Sequence, residues 1–399
     1  MTQAVLAVFE RTGGGAAWKR RLQVAALVLL ADLALVVTVG WINAARRDPL
    51  GADFAAYYAI ANIGWHQGWS HLYDLAAQQR EFDALGRLPW YPSAQTPVLA
   101  FLVAPFTFLP IGVAYPLWAA LMLGAFVYGW WLAAGGGRLS RAIQLAAPLS
   151  LLPMATAFYE GQAVLLVVAL ICLCWWLLRR HQEVAAGLAL ALATALKPQD
   201  CLLLPAALLV GGRVRLLAAW AVGSAALLGL SLLVVGPTGL GAYLERLGTA
   251  SGSPKPWIVN DSMTVAALLG RGPLAWAAQL LLAAAALTVA RIHRGRGPEI
   301  PIVAGILGSL LLSPFLHEPD VAVLLPAAWL YLRTTPPAWH QAVVAAGWPA
   351  AQLTLAQKGW FLIGLEVLLL GALLAQPLSR AARSASESAR EARRIRTGA

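Results

Sequence analysis

The feature that most constrains this chain is the recurrence of apolar runs between Leu22 and Leu378, many close to the length of one bilayer crossing. About 20 helical residues span a hydrocarbon core of roughly 30 Å, and inside that core every backbone N–H and C=O must find a partner within the protein. The chain therefore reads as an all-α polytopic membrane protein. Composition agrees, because 60% of the 399 residues are apolar and 12% are charged, about half the charged fraction of a soluble domain. Soluble enzymes, nucleic-acid-binding modules and disordered scaffolds are excluded on that ground.

The first long run, Leu22–Trp41, follows Lys19, Arg20 and Arg21 in the manner of a retained signal anchor, so residues 1–21 are expected in the cytoplasm. A membrane domain is expected over 22–378, with polar loops at about 42–96, 236–262 and 313–320, and a basic tail over 379–399. The first loop mixes aromatic residues with Asp48, Asp53, Asp74, Glu81 and Asp83 and carries short amphipathic helical patterns. Several later apolar stretches, among them 97–110, 184–197 and 198–212, are shorter than one crossing. Breaks at Pro110, Gly161, Pro198 and Pro205 mark discontinuous helices, whose irregular backbone is tolerated only against protein or a watery cavity. We expect 11–13 crossings, with either 97–110 or 141–158 failing to cross fully. No internal repeat is evident.

The formal net charge of +11 has an orienting pattern. With the N-terminus in the cytoplasm, 20 of the 29 Lys and Arg residues fall in cytoplasmic segments and six in the large outer loops, so the charge encodes topology rather than a nucleic-acid site. Membrane lipids are the expected surroundings, and the tail reads as a solvated extension. Cys172, Cys174 and Cys201 lie in apolar segments without metal-ligand spacing and read as small core residues. No phosphate-cradling loop, Ser-His-Asp order or carboxylate pair at metal spacing is present, so no cofactor is expected. Asp48, Asp53 and Asp261 remain a set that a divalent cation would suit.

The same orientation brings several polar features to the non-cytoplasmic side. Asp53, in GADFAAYYA, reads either as the N-cap of a helix beginning at Phe54 or as a partly desolvated general base; Asp74 reads as a cap. Lys197 interrupts an apolar helix before Pro198, where an ammonium either snorkels or neutralises a lipid phosphate. His317, in SPFLHEPD, is placed to donate to the same phosphate or is merely solvated. Gln162, after Glu160 and Gly161, binds a sugar hydroxyl or satisfies backbone freed at the break. In the second outer loop, Lys255 accompanies Trp257, which would stack on a sugar or guard the cavity.

In order, GADFAAYYAIA, GWSHLYD, WYPSAQTPVLAFLVAPFTFLP, YEGQAVLLVVALICLCWWLLRR, AGLALALATALKPQDCLLLPAALL and LLLSPFLHEPDVAVLLPA resemble the blocks of the bacterial glycosyltransferase family 87. The similarity runs from about Asp48 to Leu332. It implies a GT-C type bundle and transfer of a sugar, typically mannose, from a polyprenyl phosphate to a lipid-linked or glycan hydroxyl at the outer face of the bacterial plasma membrane. By the same resemblance Asp53, followed by Tyr57 in the D-F-x-x-Y-Y pattern, is the base, and Lys197 and His317 contact the donor phosphate. Tyr57, Gln162, Lys255 and Trp257 become substrate contacts. The chain departs from the family pattern in GQAV, YPS and HEPD. The expected chemistry is displacement with inversion: Asp53 takes the acceptor proton while Lys197 and His317 stabilise the departing phosphate. The alternative is a transporter or flippase of a lipid-linked or amphipathic solute, which would work through mid-membrane charges, chiefly Asp32 and Glu366.

Overall fold

The computed structural model describes residues 14–47, 51–86, 93–252, 263–356 and 358–376. All regular structure among these residues is helical. Four helices contain stretches long and apolar enough to cross a membrane: Ala17–Ala44, Ile111–Ala133, Val214–Leu247 and Pro273–Ile292. A further pair, Arg138–Leu149 and Leu152–Glu160, is bent by 63°. Six shorter apolar helices accompany them: Pro97–Phe108, Val164–Arg179, Glu183–Leu196, Pro198–Val210, Glu299–Leu312 and Trp360–Gln376. Both stretches that strained the sequence-based alternation are irregular, since Pro97–Phe108 tightens into a 3₁₀ turn after Val103 and 138–160 is the bent pair.

Lipid tails are as apolar as the helices themselves, so helix association in a membrane rests on close packing and internal polar contacts. Helix Glu299–Leu312 is enclosed almost throughout, from Ile300 to Leu311, by Pro273–Ile292, Leu204–Val210 and Leu324–Arg333. Helix Val164–Arg179 packs between Ile111–Ala133 and Glu183–Leu196, burying Val164, Val167, Val168 and Ile171. Large apolar side chains such as Leu29, Val36, Leu233 and Leu281 face outwards, as a lipid-facing surface requires. The three cysteines are free and buried.

The first loop is less solvated than its amphipathic patterns suggest. Helix Ala52–His66 is buried from Phe54 to Ala61 and again at Ile63, because it wedges between Leu75–Ala84, Pro97–Phe108 and Leu152–Glu160. Helix Leu75–Ala84 keeps one polar face, and Asp74 caps it by accepting from the Ala77 N–H at 2.9 Å.

Two glycines seat the wedge. Helix Leu152–Glu160 ends in a Schellman turn: the Gly161 N–H bonds to the Phe158 carbonyl, and the Gln162 N–H bonds to the Ala157 carbonyl. Gly161 itself has φ +71°, a left-handed conformation. A Cβ at Gly161 would lie 2.6 Å from the Phe54 Cβ, and one at Gly51 would lie 2.7 Å from the Glu160 carbonyl oxygen. The start of the loop helix therefore presses on the turn with no room for another atom. Trp118 Nε1 donates to the Gly161 carbonyl at 2.7 Å, and the Tyr115 hydroxyl donates to the carbonyls of Phe158 and Tyr159, satisfying the end of the broken helix inside an apolar environment.

Gly161→Ala combines a left-handed Ala with a clash on Phe54 and should destabilise the protein by about 1–3 kcal/mol. Gly86→Ala, at φ +67° in open space, carries the conformational cost alone. Thermal unfolding in detergent should show the larger loss for Gly161→Ala; equal losses would remove the steric seat from the account.

Candidate active site

The Schellman turn places Gln162 at the centre of a polar corner. Its Nε2 donates to Asp53 Oδ2, while its Oε1 accepts from the Tyr57 hydroxyl at 3.3 Å and from Lys197 Nζ at 3.1 Å. Those partners settle which way the amide faces, since the flipped amide would aim its NH₂ at an ammonium and its oxygen at a carboxylate. Gln162 is 4% exposed, so the corner is enclosed. Asp53 and Tyr57, one helical turn apart, lie on the same face of Ala52–His66.

Lys197 enters from the opposite wall. Pro198 disfavours helical geometry at the preceding residue, and Lys197 accordingly leaves the helix with φ −142° and ψ 88°. Its side chain is 4% exposed and forms an ion pair with Asp320 in addition to its bond with Gln162. Asp320 is fixed in turn by its own loop: its Oδ2 accepts from the His317 N–H at 2.9 Å, and the His317 side chain accepts from the Asp320 N–H, a reciprocal capping box at the head of the 3₁₀ turn Glu318–Val323. That turn packs against both Leu152–Glu160 and Val164–Arg179, which brings the loop to the corner.

Further carboxylates surround the pair. Asp200 is fully buried within electrostatic reach of Lys197 and Asp320, and neither of its oxygens has a hydrogen-bond partner. Glu160 is within electrostatic reach of Asp53, Glu318, Lys197 and Asp320. Among the described residues of this corner, Lys197 is the one Lys or Arg side chain. The arrangement offers a carboxylate beside an ammonium in a largely acidic, water-poor setting.

Asp53, Tyr57, Gln162 and Lys197 thus meet in one hydrogen-bonded network. Asp53 is not the helix N-cap: the helix starts at Ala52, Gly51 precedes it, and the Asp53 side chain is directed to Gln162. His317 joins through Asp320, its ring serving as a cap and standing edge-on to Phe315 at 4.4 Å. Lys255, Trp257, Asp48 and Asp261 lie outside the described residues. Among the described residues, no group of three or more His, Cys, Asp or Glu side chains is arranged to hold a metal ion. Asp32 is exposed on its helix, and Glu366 is buried. Sequence reasoning missed Asp320 and Asp200 as partners of the lysine. The available signal was that an ammonium interrupting an apolar helix needs a carboxylate, and the nearby breaks K-P-Q-D and H-E-P-D both supply one.

Removing one member of a buried ion pair leaves its partner uncompensated, at a cost of about 3–5 kcal/mol, whereas an apolar pair of similar volume is often tolerated. Lys197→Met should therefore lower the unfolding temperature sharply, and Lys197→Met/Asp320→Leu should recover a large part of that loss. If the double variant is as unstable as the single one, Asp320 is not the compensating group.

No curated protein matches the chain. A family model described as glycosyltransferase family 87 matches residues 95–314, more than half of the chain. The match includes Gln162, Lys197 and Asp200, while Asp53, His317 and Asp320 flank it. With helices broken at the two positions that build the polar corner and that match across them, the chain belongs to glycosyltransferase family 87.

Proposed function

We propose that this membrane glycosyltransferase moves a hexose, mannose in the first instance, from a polyprenyl phosphate to a hydroxyl of a lipid-linked or glycan acceptor. The site would face the outer side of a bacterial plasma membrane in a bundle of GT-C type. The observation that carries this reading is the bridging of Asp53 and Lys197 by one buried amide, Gln162, which holds a base and a phosphate-binding cation at a set spacing.

In the reaction, the acceptor oxygen attacks the anomeric carbon as its proton passes to Asp53. The bond from that carbon to the donor phosphate breaks, and its electron pair leaves on the phosphate, where Lys197 opposes the charge and the ring N–H of His317 not used in the cap would donate to a phosphate oxygen. Displacement from the face opposite the phosphate inverts the anomeric centre. Positive charge developing on the sugar in the transition state would be opposed least on the side of Asp53 and Asp320, the carboxylates nearest Gln162 and Lys197. Tyr57 and Gln162 would orient sugar hydroxyls, with Lys255 and Trp257 as further substrate contacts.

The hydrophobic part of the donor has a matching path. Pro198, next to Lys197, lines a cavity of about 160 Å³ whose other walls include Val98, Ala195, Leu228, Leu232 and Val235. An isoprenoid chain lying there would leave its phosphate at the ammonium. Helix Val214–Leu247, which forms one wall, is mostly unburied and open to lipid.

The test is sugar transfer by the purified protein in lipid, using polyprenyl-phosphate mannose and a membrane-lipid extract. Asp53→Asn should lose about 10²–10⁴-fold in turnover, the usual worth of a positioned base, while still binding donor. Equal product from both proteins would remove Asp53 from the mechanism. A product with retained anomeric configuration would exclude direct displacement.

A further inference from the structure

At the end of the bundle opposite Gln162, helices Val164–Arg179, Glu299–Leu312 and Leu324–Arg333 frame a cavity of about 680 Å³. Helix Val164–Arg179, with 16 residues at about 1.5 Å each, separates it from the polar corner by roughly 24 Å, so the two lie at opposite boundaries of the apolar bundle. Three guanidinium groups line this space, those of Arg179, Arg296 and Arg333. Glu299 is the one carboxylate among the lining residues, and it is already engaged: it accepts from Trp175 Nε1 at 3.0 Å and pairs with Arg179 at 3.7 Å.

Each arginine is held by fixed groups rather than left to roam in solvent. Arg333 donates to the carbonyls of Ala133 and Ala134 at 3.1 and 2.9 Å and lies over the Trp175 ring at 4.8 Å. His293 Nε2 bonds to the Leu373 carbonyl at 3.0 Å, which requires the proton on Nε2 and leaves Nδ1 to accept from Arg296 at 3.1 Å. Arg179 pairs with Glu299, and its side chain remains 58% exposed. Thr335, also on the lining, has φ +49°, a costly left-handed conformation for a β-branched residue. Among the described lining residues, three like charges around one occupied carboxylate leave a net positive charge of two, and guanidinium forks match the oxygens of a phosphate.

We propose that this cavity binds a phosphate group, presented by the headgroup of an anionic lipid. The location favours that source, because the arginines sit at the ends of membrane helices where headgroups lie. Basic pockets between helix ends are the expected form of anionic-lipid recognition. The inference is independent of the sugar-transfer reading, since none of these residues belongs to the polar corner.

Native mass spectrometry of the purified full-length protein tests it, with phosphatidylglycerol or phosphatidylcholine added to wild type and to Arg179→Gln/Arg296→Gln. Wild type should retain phosphatidylglycerol preferentially, and the double variant should lose about 10-fold or more in that retention, as expected for two charge-assisted contacts. Should the double variant fail to fold, Arg296→Gln alone, at an exposed position on a short turn, should still lose about 3-fold. Competition by glycerol 3-phosphate at millimolar concentration, sensitive to the same substitutions, would support the phosphate site and assign its source to a soluble ester. Equal retention of the two lipids by wild type, or unchanged retention in the folded variants, would overturn the proposal.

Discussion

A buried ammonium is the constraint around which this protein is arranged. Placing the Lys197 charge inside an apolar bundle costs several kcal/mol unless good geometry and further hydrogen bonds compensate it. The compensation comes from distant parts of the chain: Asp320 supplies the opposite charge and Gln162 supplies an acceptor. Because Gln162 also binds Asp53 and Tyr57, the same few atoms tie the first-loop helix, the turn at Gly161, the break at Pro198 and the loop before Glu318 into one corner. Loosening any of these segments exposes the others to an unpaired charge. The corner is therefore a structural joint as well as the candidate active site.

Broken helices make such a corner possible. A continuous crossing helix satisfies its own backbone and presents only side chains, whereas a helix that stops inside the protein frees backbone groups and turns neighbouring residues inward. At Gly161 the freed carbonyls are taken by Tyr115 and Trp118, and the next residue, Gln162, is delivered to the corner. At Pro198 the missing N–H ends one helix and swings Lys197 out of helical geometry. Each break is short, and each positions one functional side chain.

These breaks explain what was legible in the sequence. Pro and Gly inside apolar runs, and a lysine where no lysine is cheap, are local signals, so the helical class and the interrupted segments could be read before any coordinates, whereas Asp53, Tyr57, Gln162 and Lys197 were grouped only through topology and the family resemblance. Long-range pairing was not local. Nothing in HEPD states that Asp320 reaches across more than a hundred residues to Lys197, nor that the His317 ring is spent on a cap. Asp53 shows the same limit in reverse. Its position near a helix start suggested an N-cap, but tertiary contact with Gln162 outweighed local capping, and Gly51, which fits against the Glu160 backbone, stands at the cap position instead. The burial of Ala52–His66 was equally hidden, since its small residues matter only against helices that arrive later in the chain.

The two ends of the bundle differ in a way that local pairing does not require. One end holds Asp53, Glu160, Asp200, Glu318 and Asp320 around a single lysine, and the other holds Arg179, Arg296 and Arg333 around a single glutamate. Charges of both signs at each end would have neutralised one another at no cost in orientation. Segregation of this kind is what the two proposals rest on: a site for sugar transfer at the acidic end and one for an anionic headgroup at the basic end. A helix of about 24 Å, shorter than a typical hydrocarbon core of roughly 30 Å, links the ends, so a thinned or indented bilayer would bring both to headgroup depth. The short central helices thus serve the same purpose as the breaks, keeping polar side chains within reach of the membrane boundary from inside an apolar bundle.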